Sequence, residues 1–91
     1  APILYPNYPN PFNSNTAIAF YLSEPAIIDL SIIDVLGNTV KKLMHEKRPA
    51  GNSSINWDGK NMIGESVTSG IYFYLLKVNG MSLKRKMVLL K

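Results

Sequence analysis

The chain has 91 residues, 46% of them apolar and 18% charged, the balance of a globular domain with one core rather than of a disordered segment. It contains no cysteine, which excludes a disulfide scaffold and thiolate metal sites and leaves apolar burial and backbone pairing to hold the fold. Ten basic residues against six acidic give a net charge of +4, which permits weak attraction to anions without demanding an anionic partner.

The first twelve residues crowd Pro2, Pro6, Pro9 and Pro11 around Asn7 and Asn10. Proline fixes the backbone and removes ladder donors, so residues 1–12 read as a Pro/Asn-rich linker whose tail joins a sheet edge, and residues 13–91 as the domain proper. The start lacks the basic residues and long apolar stretch of a signal peptide, which suggests a piece of a larger precursor. Thr16 to Leu22 alternates, with Ile18, Phe20 and Leu22 on one face, the pattern of a half-buried strand. Ile27 to Asp34 repeats it with Ile28, Leu30 and Ile32 inward. In Thr39 to Met44 the spacing of Val40, Leu43 and Met44 would also suit a helical turn, and the neighbouring strands favour a strand.

Ser53 to Trp57 turns Ile55 and Trp57 to one side, which makes the only tryptophan a core anchor. Ile71 to Val78 is apolar on both parities and predicts a central strand covered on both faces. Asn79-Gly80 favours a two-residue hairpin, so Met81 to Lys91 is expected to return antiparallel beside it. Turn residues recur between these short segments, as in an all-β sandwich or barrel. The apolar runs Ile71 to Leu76 and Met87 to Leu90 are far too short to cross a bilayer as a helix.

Catalytic chemistry finds little support. His45 is the only histidine and stands beside Glu46 and Lys47, the setting of a solvated loop residue rather than of a triad. Asp29, Asp34 and Asp58 are the candidates for an acid/base pair, each better explained locally: Asp34 and Asp58 close strands at turns, where a carboxylate accepts from nearby backbone donors. The loop from Asp58 to Glu65 carries Asp, Asn and Glu between glycines. Lys60 and Met62 stand where a calcium loop needs oxygens. The glycines form no phosphate-cradling pattern. Tyr72, Phe73 and Tyr74 beside a basic last strand imitate a nucleic-acid platform, but in a sandwich they belong to packing. Asn52-Ser53-Ser54 formally matches a glycan acceptor. The expectation is a domain with no enzyme activity, no cofactor, no metal and no nucleic-acid partner.

Three groups of residues together carry a family resemblance. Tyr8-Pro9-Asn10-Pro11-Phe12-Asn13 with Thr16, Ile18 and Phe20 is the first, and Ile32-Ile33-Asp34-Val35-Leu36-Gly37 with Val40 is the second. The third runs from Ala50-Gly51 through Trp57-Asp58-Gly59, Gly64, Val67 and Ser69 to Tyr74, and closes in Lys86-Met87-Val88-Leu89-Leu90-Lys91. In order and spacing the chain resembles the C-terminal (type A) sorting domain of proteins exported by the type IX secretion system of Bacteroidetes-type bacteria. It is also similar to the Ig-like domain of flagellar hook-capping proteins. Asn38, where arginine is common, and Ser14, where a second proline often follows, are mild departures at exposed turns.

The resemblance implies a seven-stranded immunoglobulin/fibronectin-III-like antiparallel β-sandwich at the C-terminus of a secreted, multidomain protein. It implies a non-catalytic role: recognition by the outer-membrane type IX translocon, removal by a sortase-like peptidase, and passage through the periplasm to the cell surface or medium with the upstream cargo. The last strand, Met81 to Lys91, would be an addressable sheet edge. Its readers would meet Lys84, Arg85, Lys86 and Lys91 for orientation and Met87, Val88, Leu89 and Leu90 for affinity. The alternative is an accessory Ig-like spacer or carbohydrate-binding module of a secreted hydrolase, for which Tyr5, Tyr8 and Tyr21 are the residues to inspect. The shared fold also leaves hook-cap assembly open.

Overall fold

The computed structural model describes residues 1–91 and contains seven strands and no helix. In chain order they are β1 (Ile3–Leu4), β2 (Thr16–Leu22), β3 (Ala26–Ile33), β4 (Thr39–Arg48), β5 (Gly51–Trp57), β6 (Gly70–Val78) and β7 (Met81–Leu89). They form two antiparallel sheets, ordered β1-β2-β5 and β4-β3-β6-β7, packed as a sandwich. Period-two alternation sends one parity of each strand inward. Ile18, Phe20 and Leu22 from β2 meet Ile28, Leu30 and Ile32 from β3 and Tyr74 and Leu76 from β6 in one core.

Trp57 is fully buried, as its parity in β5 predicts. Its ring stands 5.7 Å from Phe12 and 5.7 Å from Tyr72, centroid to centroid, and its indole N–H donates to the Lys60 carbonyl at 3.0 Å. Asn79 (φ 48°) and Gly80 (φ 80°) form the hairpin turn between β6 and β7, left-handed angles that this pair tolerates better than other residues.

Four expectations change. First, residues 1–12 are built into the sandwich. β1 pairs with β2, and Leu4, Asn7 and Phe12 are buried. Asn7 Nδ2 donates to Thr16 Oγ1 (3.0 Å) and to the Pro9 carbonyl (3.3 Å), and Thr16 Oγ1 also donates to Pro9 (2.8 Å). Proline limits this segment to short stretches of pairing without keeping its apolar residues out of the core. Second, β4 runs on to Arg48, so His45 lies within an exposed strand rather than a loop.

Third, two register shifts in the β3–β4 ladder place Leu43 and Val40 as extra residues against β3. These bulges re-phase the strand, which is why its apolar residues mimic a helical spacing. Fourth, the outer face of β6 is not covered by another layer. Ile71 is 44% exposed, and the Lys84 ammonium lies over Phe73, 5.1 Å from its ring centroid.

Both long sides of the sandwich are closed by an arginine. Arg85 of β7 donates through Nε to the Leu4 carbonyl (2.6 Å), and Arg48 of β4 donates through Nε and a terminal nitrogen to Ser53 Oγ of β5 (both 3.4 Å). Tyr74 adds a tie through the interior, its hydroxyl donating to the Tyr5 carbonyl at 2.6 Å. Burial raises the Tyr74 pKa above 10.0, with the Asn7 backbone and the Arg85 charge pulling the other way.

Trp57→Ala should cost about 3–5 kcal/mol, measured by denaturant unfolding, because it removes the largest buried side chain and strands Phe12. The raised Tyr74 pKa means that the folded state holds its proton more tightly than the unfolded chain does. Its contribution is therefore complete below pH 10 and is lost as pH rises through the folded value. Tyr74→Phe should flatten the fall in unfolding free energy above pH 10.

Candidate recognition edge and end cleft

The terminal strand β7 pairs on one side with β6, in a register running from Val78↔Met81 to Gly70↔Leu89. The two-residue turn makes Val78–Met81 a hydrogen-bonded pair, so the backbone groups of Ser82, Lys84, Lys86, Val88 and Leu90 point away from β6. The lead-in segment takes the last of these. The Phe12 N–H donates to the Val88 carbonyl (3.0 Å), the Leu90 N–H to the Phe12 carbonyl (2.8 Å), and the Val88 N–H to Asn10 Oδ1 (3.0 Å). The open edge is therefore confined to Ser82, Lys84 and Lys86.

The eight residues from Lys84 to Lys91 fall into three groups. Met87 and Leu89 are fully buried in the core, so they cannot contact a partner of the folded domain; their parity in β7 turns them inward. Arg85 is exposed along much of its length, but its head group is held on Leu4. Lys84 and Lys86 project from the outer face, Val88 is half-buried beside them, and Leu90 (55% exposed) and Lys91 lie at the strand's end. Of these eight, the side chains accessible on the folded domain and not held by a partner are thus Lys84, Lys86, Val88, Leu90 and Lys91.

Where β7 ends, the β3–β4 and β5–β6 connections frame an open cleft of about 690 Å³ whose apolar walls include Val35, Val40, Met62, Ile63, Val67 and Ile71. The Lys91 N–H donates to Ser69 Oγ at 2.9 Å, and Ser69 lines the same cleft, so Lys91 borders it. The rims are stiff. Asp34 Oδ1 accepts from Leu36 and Asn38 N–H (both 2.9 Å), and Asn61 Oδ1 accepts from Ile63 (3.1 Å) and Glu65 N–H (3.0 Å). Val35, Leu36, Met62 and Ile63 are all more than half exposed. Strand alternation does not find this cleft. Its one signal in the sequence is large apolar residues standing inside turn segments.

The other singled-out residues have local partners. Asp58 Oδ1 accepts from the Lys60 N–H at 3.1 Å, so like Asn61 Oδ1 it serves the backbone of its own loop. His45 Nδ1 lies 3.5 Å from Asp29 Oδ2 with its side chain 72% exposed. Tyr72 and Tyr74 are buried, while Phe73 lies half-buried on the outer face near the basic strand.

Amide exchange checks the edge directly. Val88 and Leu90 should exchange at least about tenfold more slowly than Lys84 and Lys86, because only the former pair donate to a partner. Asn10→Ala should remove the protection at Val88 alone.

Comparison with solved structures places the whole fold. Latent dimeric PorU from Porphyromonas gingivalis contains a region that superposes with a TM-score of 0.77 at 20% identity, covering 98% of this chain and 9% of that one. PorZ, described as an essential bacterial surface component of the type IX secretion system of the same organism, matches with 0.66 at 18% identity, over 97% of this chain and 11% of its own. A DNA-bound alkylpurine DNA glycosylase, AlkC from Pseudomonas fluorescens, matches with 0.60 at 14% identity, over 99% and 30%. At these identities the likeness is one of fold, and the chain spans less than a third of each of these proteins. No curated protein matches the sequence. The family model of the FlgD Ig-like domain matches residues 9–82, most of the chain, and the protein belongs to that family.

Proposed function

We propose that this Ig-like domain is a non-catalytic sorting module that directs a longer secreted bacterial protein through the type IX outer-membrane translocon, with removal by a sortase-like peptidase during or after export. The observation that carries this reading is the position of β7. It is an edge strand with open backbone rungs at Ser82, Lys84 and Lys86, and two of those rungs bear lysines. Such an edge accepts an added strand, and the lysines select an acidic one. The exposed Leu90 and Lys91 beside the end cleft extend the surface to the terminus. The fold likeness to PorZ, a component of the same export system, supports the assignment, as does the motif resemblance. The reading places the mature protein at the cell surface or in the medium, reached through the periplasm.

Deleting Leu83 to Lys91 would remove Met87 and Leu89 from the core, so loss of export would only report unfolding. Charge reversal at exposed lysines separates recognition from stability. A fluorescent reporter with a signal peptide and this domain at its C-terminus should reach the surface or medium only in a strain with a working type IX system. Lys84→Glu/Lys86→Glu should lower that export by roughly tenfold, at about 1 kcal/mol for the pair plus lost steering. Its unfolding free energy should stay within about 1 kcal/mol of the parent, the scale of the Lys84–Phe73 contact that the change removes. Export that is equal in secretion-competent and secretion-deficient strains would refute the sorting role, and undiminished export of the double variant would refute the edge.

A further inference from the structure

The two outer faces of the sandwich differ in charge. On the four-stranded sheet, Lys42, Lys77, Lys84 and Lys86 stand around Phe73 and Leu75, with Asp29 the acidic group among them. On the three-stranded sheet every outward position from Ile3 to Tyr8, along β2 and along β5 is uncharged. In a chain with ten basic and six acidic residues, that is a distinct surface.

This face carries the three tyrosines that the core does not use. Ile3 pairs with Tyr21, the Tyr5 N–H donates to the Ala19 carbonyl (3.0 Å), and Tyr8 pairs with Ala17 through two hydrogen bonds (3.0 and 2.8 Å). Partners directly across a ladder share a face, so Tyr21, Tyr5 and Tyr8 sit at successive levels beside the small side chains of Ala19 and Ala17. The levels are about 7 Å apart. Tyr8 is 81% exposed, and Asn52 and Asn56 of β5 flank the strip.

The chemistry fits a sugar polymer. A row of aromatic rings on a flat floor presents apolar area to the C–H faces of pyranose rings, and flanking amides donate to and accept from hydroxyls. With no charge the face offers nothing to an acidic polymer. Its size argues against a protein partner. Strands of seven residues in a three-stranded sheet make a face of about 23 by 14 Å. That is well short of the roughly 800 Å² per partner of a standard protein interface.

We propose that the Tyr5–Tyr8–Tyr21 face binds a neutral polysaccharide in an extended conformation, independently of the terminal strand. The test is retention of the 91-residue protein on insoluble cellulose, chitin and β-1,4-mannan, with alginate as the charged comparison. Retention is expected on at least one neutral polymer, weakened about tenfold by Tyr8→Ala and by Tyr21→Ala, and held within about twofold by Tyr8→Phe, with unchanged melting temperatures. Absence of retention on all three neutral polymers, equal retention of Tyr8→Ala, or a preference for alginate would overturn the proposal. A dimer in sedimentation velocity that Tyr8→Ala dissolves would overturn it in favour of a second copy.

Discussion

The fold depends on the packing of Trp57 between Phe12 and Tyr72. The indole belongs to the three-stranded sheet, Tyr72 to the four-stranded sheet and Phe12 to the lead-in segment, so one contact joins the three parts of the molecule. The indole N–H on the Lys60 carbonyl adds a fourth, the connection between β5 and β6 that walls the end cleft. A small domain without disulfides has few independent sources of stability, and concentrating them at one large aromatic makes the cleft, the core and the lead-in rise and fall together.

That coupling reaches the terminal strand. Phe12 is fixed by Trp57 on one side and pairs with Val88 and Leu90 on the other. The covering of the end of β7 is therefore a consequence of core packing, and the stretch left open, Ser82 to Lys86, begins where that reach stops. An edge so shortened satisfies two opposed demands: it is brief and basic enough to resist pairing with a copy of itself, yet long enough to admit a complementary strand.

Much of this is legible in the sequence, because strand parity is a local property. The inward sets of β2 and β3, the burial of Trp57 and the Asn79-Gly80 hairpin follow from alternation and turn chemistry alone, whereas β6, apolar on both parities, does not show which of its faces is inward. The lead-in segment hides its role, since Leu4, Asn7 and Phe12 are separated by prolines and show no period. Their partners, Phe20, Thr16 and Leu89, are distant in the chain. The bulges of β4 hide for the same reason: an extra residue shifts parity only relative to β3, which the sequence of β4 does not contain. In the terminal run Met87 to Leu90, a continuous apolar stretch conceals that alternate residues have opposite fates. Hydropathy alone cannot distinguish Met87 in the core from Leu90 in solvent.

The pairing of Phe12 with Leu89 is parallel, whereas the named strands of the domain pair antiparallel. The lead-in segment and β7 thus run in the same direction, with Ala1 near the β6–β7 turn and Lys91 at the opposite end. Tension applied between the two termini would draw these segments past one another lengthwise. The bonds at Leu4, Asn10 and Phe12 would share the load at once instead of opening in succession like a zipper. Resistance to such a pull is set by the barrier to unfolding rather than by equilibrium stability. A domain handled by its ends would therefore hold its shape under load better than its modest core suggests.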